Sequence, residues 1–166
     1  MMKLVLSVIF LVSISLQGCA PEPGPAVEEA PTTEADVEAV KRVREQAVAA
    51  INAGDLGALM SLWSDDIVWM WPNEPPVVGK EALRSWWQTH RSPGKAEFTM
   101  SHEEVIVAGD WAFQRGTHTQ RRIPKAGGEP MEIEMKCIDI LRRQLDGSWK
   151  HTHVICNSNK PGSLFE

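Results

Sequence analysis

The chain has 166 residues, 43% of them apolar, and its 22 acidic against 17 basic side chains give a formal charge of −5. That length supports one domain with a sizeable core. Its basic residues come in isolated pairs such as Arg121-Arg122 and Arg142-Arg143. With no basic stripe of the kind that tracks a phosphate backbone, no nucleic-acid partner is expected.

The chain opens on Met1-Met2-Lys3, and an apolar run follows over residues 4–16. A bilayer span needs about 20 apolar residues, so this run is too short to cross. Leu16-Gln17-Gly18-Cys19 comes next, and the whole stretch resembles a bacterial lipoprotein signal. The resemblance implies removal of residues 1–18 and acyl chains on Cys19. Each buried methylene would hold the protein to the membrane by about 0.8 kcal/mol. Ala20 resembles the signal that passes a lipoprotein to the outer membrane, which implies a cell-envelope protein on the periplasmic side.

Residues 20–34, APEPGPAVEEAPTTE, carry one large apolar side chain, Val27. Such a composition cannot offset chain entropy, so residues 19–34 are expected to form a lipidated, disordered tether. The folded domain is expected over 35–160, with a tail at 161–166.

Thr33-Glu34-Ala35-Asp36 can cap a helix, and Val37, Val40, Val43, Ala47 and Ile51 recur at helical spacing. Gly54 can end it with positive φ, and Asp55 can cap a second helix running through Trp63. Ile67–Trp71 reads as a strand stopped by Pro72, and Gly79–His90 as a third helix. From Ala96 the period becomes two. One strand runs to Ala108, turns at Gly109-Asp110 and returns over Trp111–Ile123. A looser turn at 125–128 leads to strands Met131–Arg143 and Ser148–Asn157, joined at Asp146-Gly147. Helices first and a meander of long strands after is an α+β order.

The stretch GDLGALMSLWSDDIVWMWPNEPPVVGKEALRSWW resembles the helix–strand–loop–helix half of the nuclear transport factor 2-like superfamily. Ketosteroid isomerase and the SnoaL-like cyclases belong to it. The shared features are Gly-Asp between two helices, an aromatic residue before Asp-Asp, Pro-Pro before a glycine, and a helix ending in paired aromatics. CIDILRRQLDGSWKHTH is similar to the superfamily's last hairpin. Together these pieces cover 35–158. The resemblance implies an α+β cone, helices packed on a strongly bent antiparallel sheet around an apolar pocket, and a homodimer through the outer sheet face.

Ketosteroid isomerase needs an aspartate base and an oxyanion hole of a tyrosine and a protonated aspartate. The resemblance places the base at Trp71, the oxyanion tyrosine at Ala47, and two supporting tyrosines at Trp63 and Trp87. Indole cannot abstract a proton and alanine cannot donate to an oxyanion, so that reaction is not expected by those residues. The oxyanion aspartate survives as Asp139. A carboxylate between Ile138 and Ile140 is costly unless paired or protonated. It is either a pocket acid–base group or a structural carboxylate, solvated or paired with Arg115.

A two-residue turn at Asp146-Gly147 would set Asp139 opposite Val154 and Cys137 opposite Cys156. Opposed cysteines in an oxidising compartment can bridge, but this count puts them at a crowded hydrogen-bonded position, and a buried reduced pair is the alternative. The same count sends Trp149, His151, His153 and Ile155 to the face opposite Asp139. A loop one residue longer would bring His153 to its side. The resemblance assigns His153 a position where SnoaL-like domains often carry histidine. His151 and His153 lack a third ligand by spacing, so no metal is expected, and no phosphate loop or cofactor motif is present. In the first hairpin Glu104 should oppose Arg115 and Ile106 should oppose Phe113. The resemblance turns Phe113 and Arg115 toward the pocket, while an ion pair with Glu104 is the plainer role for Arg115.

Two functions follow. The first is a membrane-anchored periplasmic domain that binds a small apolar or aromatic molecule in a pocket walled by Trp63, Trp69, Trp71, Trp86, Trp87 and Phe113, with Asp139 or Arg115 as polar fixings. The second is a SnoaL-like acid–base enzyme of isomerase, cyclase or lyase type using Asp139 with His153.

Overall fold

Helix α1 (Glu34–Ala53) begins at Thr33, whose hydroxyl accepts from the Asp36 amide at 3.2 Å while the Asp36 carboxylate accepts from the Thr33 amide at 3.4 Å. This reciprocal cap satisfies two donors that a helix start leaves free. The computed structural model describes residues 33–90, 96–122 and 129–158. The signal, Cys19, the tether up to residue 32, the turn at 125–128 and the tail lie outside the described residues.

The apolar stripe of α1 buries Val40, Val43, Ala47 and Ala50, and Arg44 is buried along with them. Gly54 ends the helix at φ 71°, and Asp55 caps α2 (Leu56–Ser61) by accepting from the Ala58 amide at 2.9 Å. The second helix was expected to run through Trp63, but it stops at Ser61. Trp63 opens strand β1 (Trp63–Met70) beside His151, whose amide donates to the Leu62 carbonyl at 3.0 Å. Strand pairing outweighs helix propensity here, because propensity differs by only tenths of a kcal/mol between ordinary residues.

Next come β2 (Val77–Val78), α3 (Lys80–His90), β3 (Ala96–Met100), β4 (Glu104–Ala108), β5 (Trp111–Arg122), β6 (Met131–Arg143) and β7 (Trp149–Ser158). One bent sheet has the order β2-β1-β7-β6-β5-β3, with β4 also on β5; β1 runs parallel to β7 and every other pairing is antiparallel.

The expected single strand over 96–108 is two strands on the same partner. Met100 pairs with His118 and Glu104 with Arg115, so three residues face two. Gly116 sits opposite this bulge, where a Cβ would overlap the Ser101 carbonyl oxygen. Such a bulge bends the strand, and so helps the sheet curve around α1.

The last hairpin differs from the sequence reading in two compensating ways. Its loop is three residues long: Gln144 pairs with Ser148, and Gly147 takes φ 81°. A bulge between Ile140 and Leu141 on one side and His153 and His151 on the other then leaves Thr152 unpaired. Beyond it Asp139 faces Val154 and Cys137 faces Cys156, as the shorter turn would also have given. Before it the phase is reversed. Trp149 and His151 therefore lie on the inner face with Asp139, not on the opposite one, while His153 and Ile155 lie on the outer face.

Candidate functional site

Two apolar clusters fill the space between α1 and the sheet. One holds Ala47, Ala50, Trp63, Trp69, Trp71, Met135, Cys137, Val154 and Cys156; the other holds Val40, Val43, Ala112, Leu141 and Trp149. Three elements pass from one cluster to the other through a polar residue, Arg44 on α1, Asp139 on β6 and His151 on β7, and Gln114 on β5 joins them beside Asp139; all four are buried. A layer of polar side chains thus crosses the core.

The layer is built around Asp139. Its Oδ2 lies 3.5 Å from Arg44 Nε and accepts from Gln114 Nε2 at 3.3 Å. Arg44 is 1% exposed, and its Nε also donates to Met100 Sδ at 3.1 Å. The partner of Asp139 is therefore Arg44, which sequence reasoning passed over, and not Arg115. A signal for Arg44 existed: it stands four residues after Val40 and three before Ala47, on the apolar stripe itself. A cation in such a stripe is either paired or functional.

A cavity opens between this layer and the tryptophans, lined by Arg44, Ala47, Ile51, Trp63, Trp69, Met100, His118, Asp139, His151, Val154 and the two cysteines. Its volume is about 30 Å³, room for about two water molecules. Five buried polar atoms of its lining residues have no hydrogen-bond partner among the described residues: Arg44 Nη1 and Nη2, His118 Nε2, and both ring nitrogens of His151. Leaving a buried polar atom unmade costs about 1–3 kcal/mol, so such a concentration calls for water or a ligand.

Both histidines are held neutral. Burial, with Arg44 assisting, pushes His118 down to about 4. Burial also lowers His151, against the opposing attraction of Asp139. At neutral pH each ring therefore offers one donor and one acceptor.

The tryptophans pack against one another, and Trp69 is central. Its ring centroid lies 5.5 Å from that of Trp63, 5.3 Å from Trp71 in a stacked pair, 6.1 Å from Trp86 and 5.8 Å from Trp87. Trp63 and Trp69 face the cavity; Trp71, Trp86 and Trp87 back them. Trp86 Nε1 donates to Glu74 at 2.8 Å, which ties the third helix to the Pro-rich loop. Most of the indole surface expected to wall a pocket thus fills the cone.

Phe113 and Arg115 do not reach the cavity. Along β5 the inward residues are Ala112, Gln114, Gly116, His118 and Gln120, so Phe113 and Arg115 take the outer face. Arg115 forms ion pairs there with Glu103 at 2.6 Å and Glu104 at 2.8 Å. His153, also outward, has Nδ1 3.1 Å from the Thr152 hydroxyl. The inward partners that sequence reasoning missed are Gln114 and His118, and His151 is one that it had sent to the opposite face. Cys137 and Cys156 are joined by a disulfide across a Cα separation of 4.2 Å. That separation is typical of a non-hydrogen-bonded pair, a phase that the bulge at Thr152 sets.

The helices, the bent sheet and the enclosed site define an α+β cone. The chain belongs to the SnoaL-like domain family, whose pattern matches residues 44–152. None of the curated proteins matches it. Among solved structures it is similar to a ketosteroid isomerase-like protein from Erwinia carotovora atroseptica, with 23% identity and a TM-score of 0.70 over 78% of this chain and 100% of the other. A conserved protein from Planctomyces limnophilus gives 24% identity and a TM-score of 0.69, over 76% and 99%. A nuclear transport factor 2-like protein of cystatin-like fold from Novosphingobium aromaticivorans gives 19% and 0.67, over 77% and 84%. At these identities the likeness is one of fold. Among the described residues no helix is long and apolar enough to cross a membrane.

Proposed function

We propose that this domain binds a small, neutral, amphipathic molecule, whose apolar body lies against Trp63 and Trp69 and whose acceptor oxygen meets the Nη atoms of Arg44. The observation that carries the reading is the convergence of five unpartnered buried polar atoms on one cavity. Arg44 and Asp139 cancel in charge and both histidines are neutral, so a neutral ligand leaves no uncompensated charge in the site. A cavity of about 30 Å³ admits such a molecule only if the indoles of Trp63 and Trp69 move aside. Binding should therefore change tryptophan fluorescence directly.

The test is a panel of small ketones, lactones and phenols followed by fluorescence and melting temperature. A saturable shift that disappears in Ala47→Leu, where the larger side chain fills the cavity without removing any polar group of the site, supports the reading. No shift across the panel sinks it.

Asp139 and His151 on one inner face favour a second reading, an acid–base enzyme in which His151 takes the place first given to His153. In that case Asp139→Asn would abolish turnover with ligand affinity retained. The lipoprotein-like start supports anchoring through Cys19 at the cell envelope, on the periplasmic side of the outer membrane. The outer face of the sheet supports a homodimer. Ile106, Trp111, Ile138 and Ile140 are each at least 36% exposed, and strand register sets them side by side with Phe113. Contiguous apolar surface of this kind on a strand-paired face suits a second copy.

A further inference from the structure

We infer that reduction of the Cys137–Cys156 bridge converts one wall of the cavity into a zinc site formed by the two thiolates and His118. Both sulfurs and an imidazole nitrogen of His118 already lie within 4.8 Å of one another, and all three residues are buried. His118 Nε2 has no hydrogen-bond partner among the described residues.

The chemistry suits the donors. Two thiolates and an imidazole form a borderline-soft set that prefers zinc over magnesium or calcium. Tetrahedral zinc with sulfur at about 2.3 Å sets its ligand atoms roughly 3.5–4 Å apart. Once the bond is broken, rotation about the Cys side chains is the movement that would bring the sulfurs to that spacing. The fourth position faces a cavity with room for water, which gives three protein ligands and one open place, the arrangement of catalytic zinc. Charge also closes. Zinc is balanced by two thiolates, and Arg44 is already balanced by Asp139 across 3.5 Å.

The reduction is a two-electron step. A dithiol attacks one sulfur, the S–S bond breaks through a mixed disulfide, and the dithiol leaves as its own disulfide, having delivered two electrons and two protons. Zinc then displaces both thiol protons to water as the two Zn–S bonds form.

The experiment uses the full chain carrying Cys19→Ser, so that Cys137 and Cys156 are its only thiols. It is reduced anaerobically with dithiothreitol, alkylation and mass confirm two thiols, and near-ultraviolet dichroism of the tryptophans confirms the fold. Cobalt(II) is then titrated. The expected result is one equivalent giving a thiolate charge-transfer band and intense tetrahedral d–d bands, both erased by zinc and absent from the oxidised protein. His118→Phe, or His118→Gln if the first does not fold, should weaken binding by at least about tenfold, in line with losses seen around metal sites. The inference is overturned if the folded, reduced protein gives no such band. It is equally overturned if both His118 variants bind as the parent does, or if reduction fails or unfolds the chain.

Discussion

His118 offers a quantitative test of how this core is built. Its ring is 3% exposed, 5.2 Å from Phe98 and 6.1 Å from Trp71 by centroids, and burial with the nearby Arg44 charge lowers its pKa from 6.5 to about 4. The folded pKa lies below the unfolded one, so the unfolded chain takes up the proton first. The stabilisation is therefore complete above pH 6.5 and is lost as pH falls through the window from 6.5 to 4. Each pKa unit is worth about 1.4 kcal/mol, so His118 alone should lower the unfolding free energy by about 2 kcal/mol between pH 7 and pH 5. His151, lowered in the same direction, adds to this. Asp36, held near 2 by Arg143, stays ionised throughout and does not contribute.

The assay is urea unfolding at pH 7, 6 and 5 for the parent and for His118→Phe, which keeps an aromatic ring but cannot titrate. The variant should lose about 2 kcal/mol less over that range. Equal pH dependence in the two proteins would refute the assignment of a neutral, desolvated His118.

The remaining predictions concern the polar layer and the outer face. Arg44→Met should cost about 3–5 kcal/mol, because it leaves the Asp139 carboxylate buried without its partner, whereas Arg44→Met with Asp139→Leu should recover much of the loss. Chemical denaturation of both single variants and the double variant measures this, and simple additivity would argue against the pair. Ile140→Lys places a charge among the apolar side chains of the outer face. It should leave the melting temperature of a monomer nearly unchanged and convert any dimer to monomer in sedimentation; a parent that is monomeric at all concentrations refutes the dimer.

Much of the fold is legible in the sequence because its signals are local. The cap at Thr33, the positive-φ ends at Gly54 and Gly109, and the change of period at Ala96 depend on neighbours in the chain. The first hairpin register follows from its two-residue turn for the same reason. The candidate site was legible only in part. Asp139, Trp63 and Trp69 do face the cavity, but Phe113, Arg115 and His153 stand on the outer face, His151 lies inward where the two-residue turn had sent it outward, and Arg44, Gln114 and His118 were passed over.

The physical reason is the two-residue period of a strand. One extra residue anywhere in a hairpin inverts every side chain beyond it, and neither the three-residue loop closing at Gln144 and Ser148 nor the bulge at Thr152 has a strong local signature. The sequence by itself determined most of the elements, their order and the family. Which side chains share the interior was decided only when α1 was laid across the bent sheet. Arg44 on the helix then met Asp139 on β6, 95 positions along the sequence, because a buried carboxylate and a buried guanidinium are each too costly to leave alone.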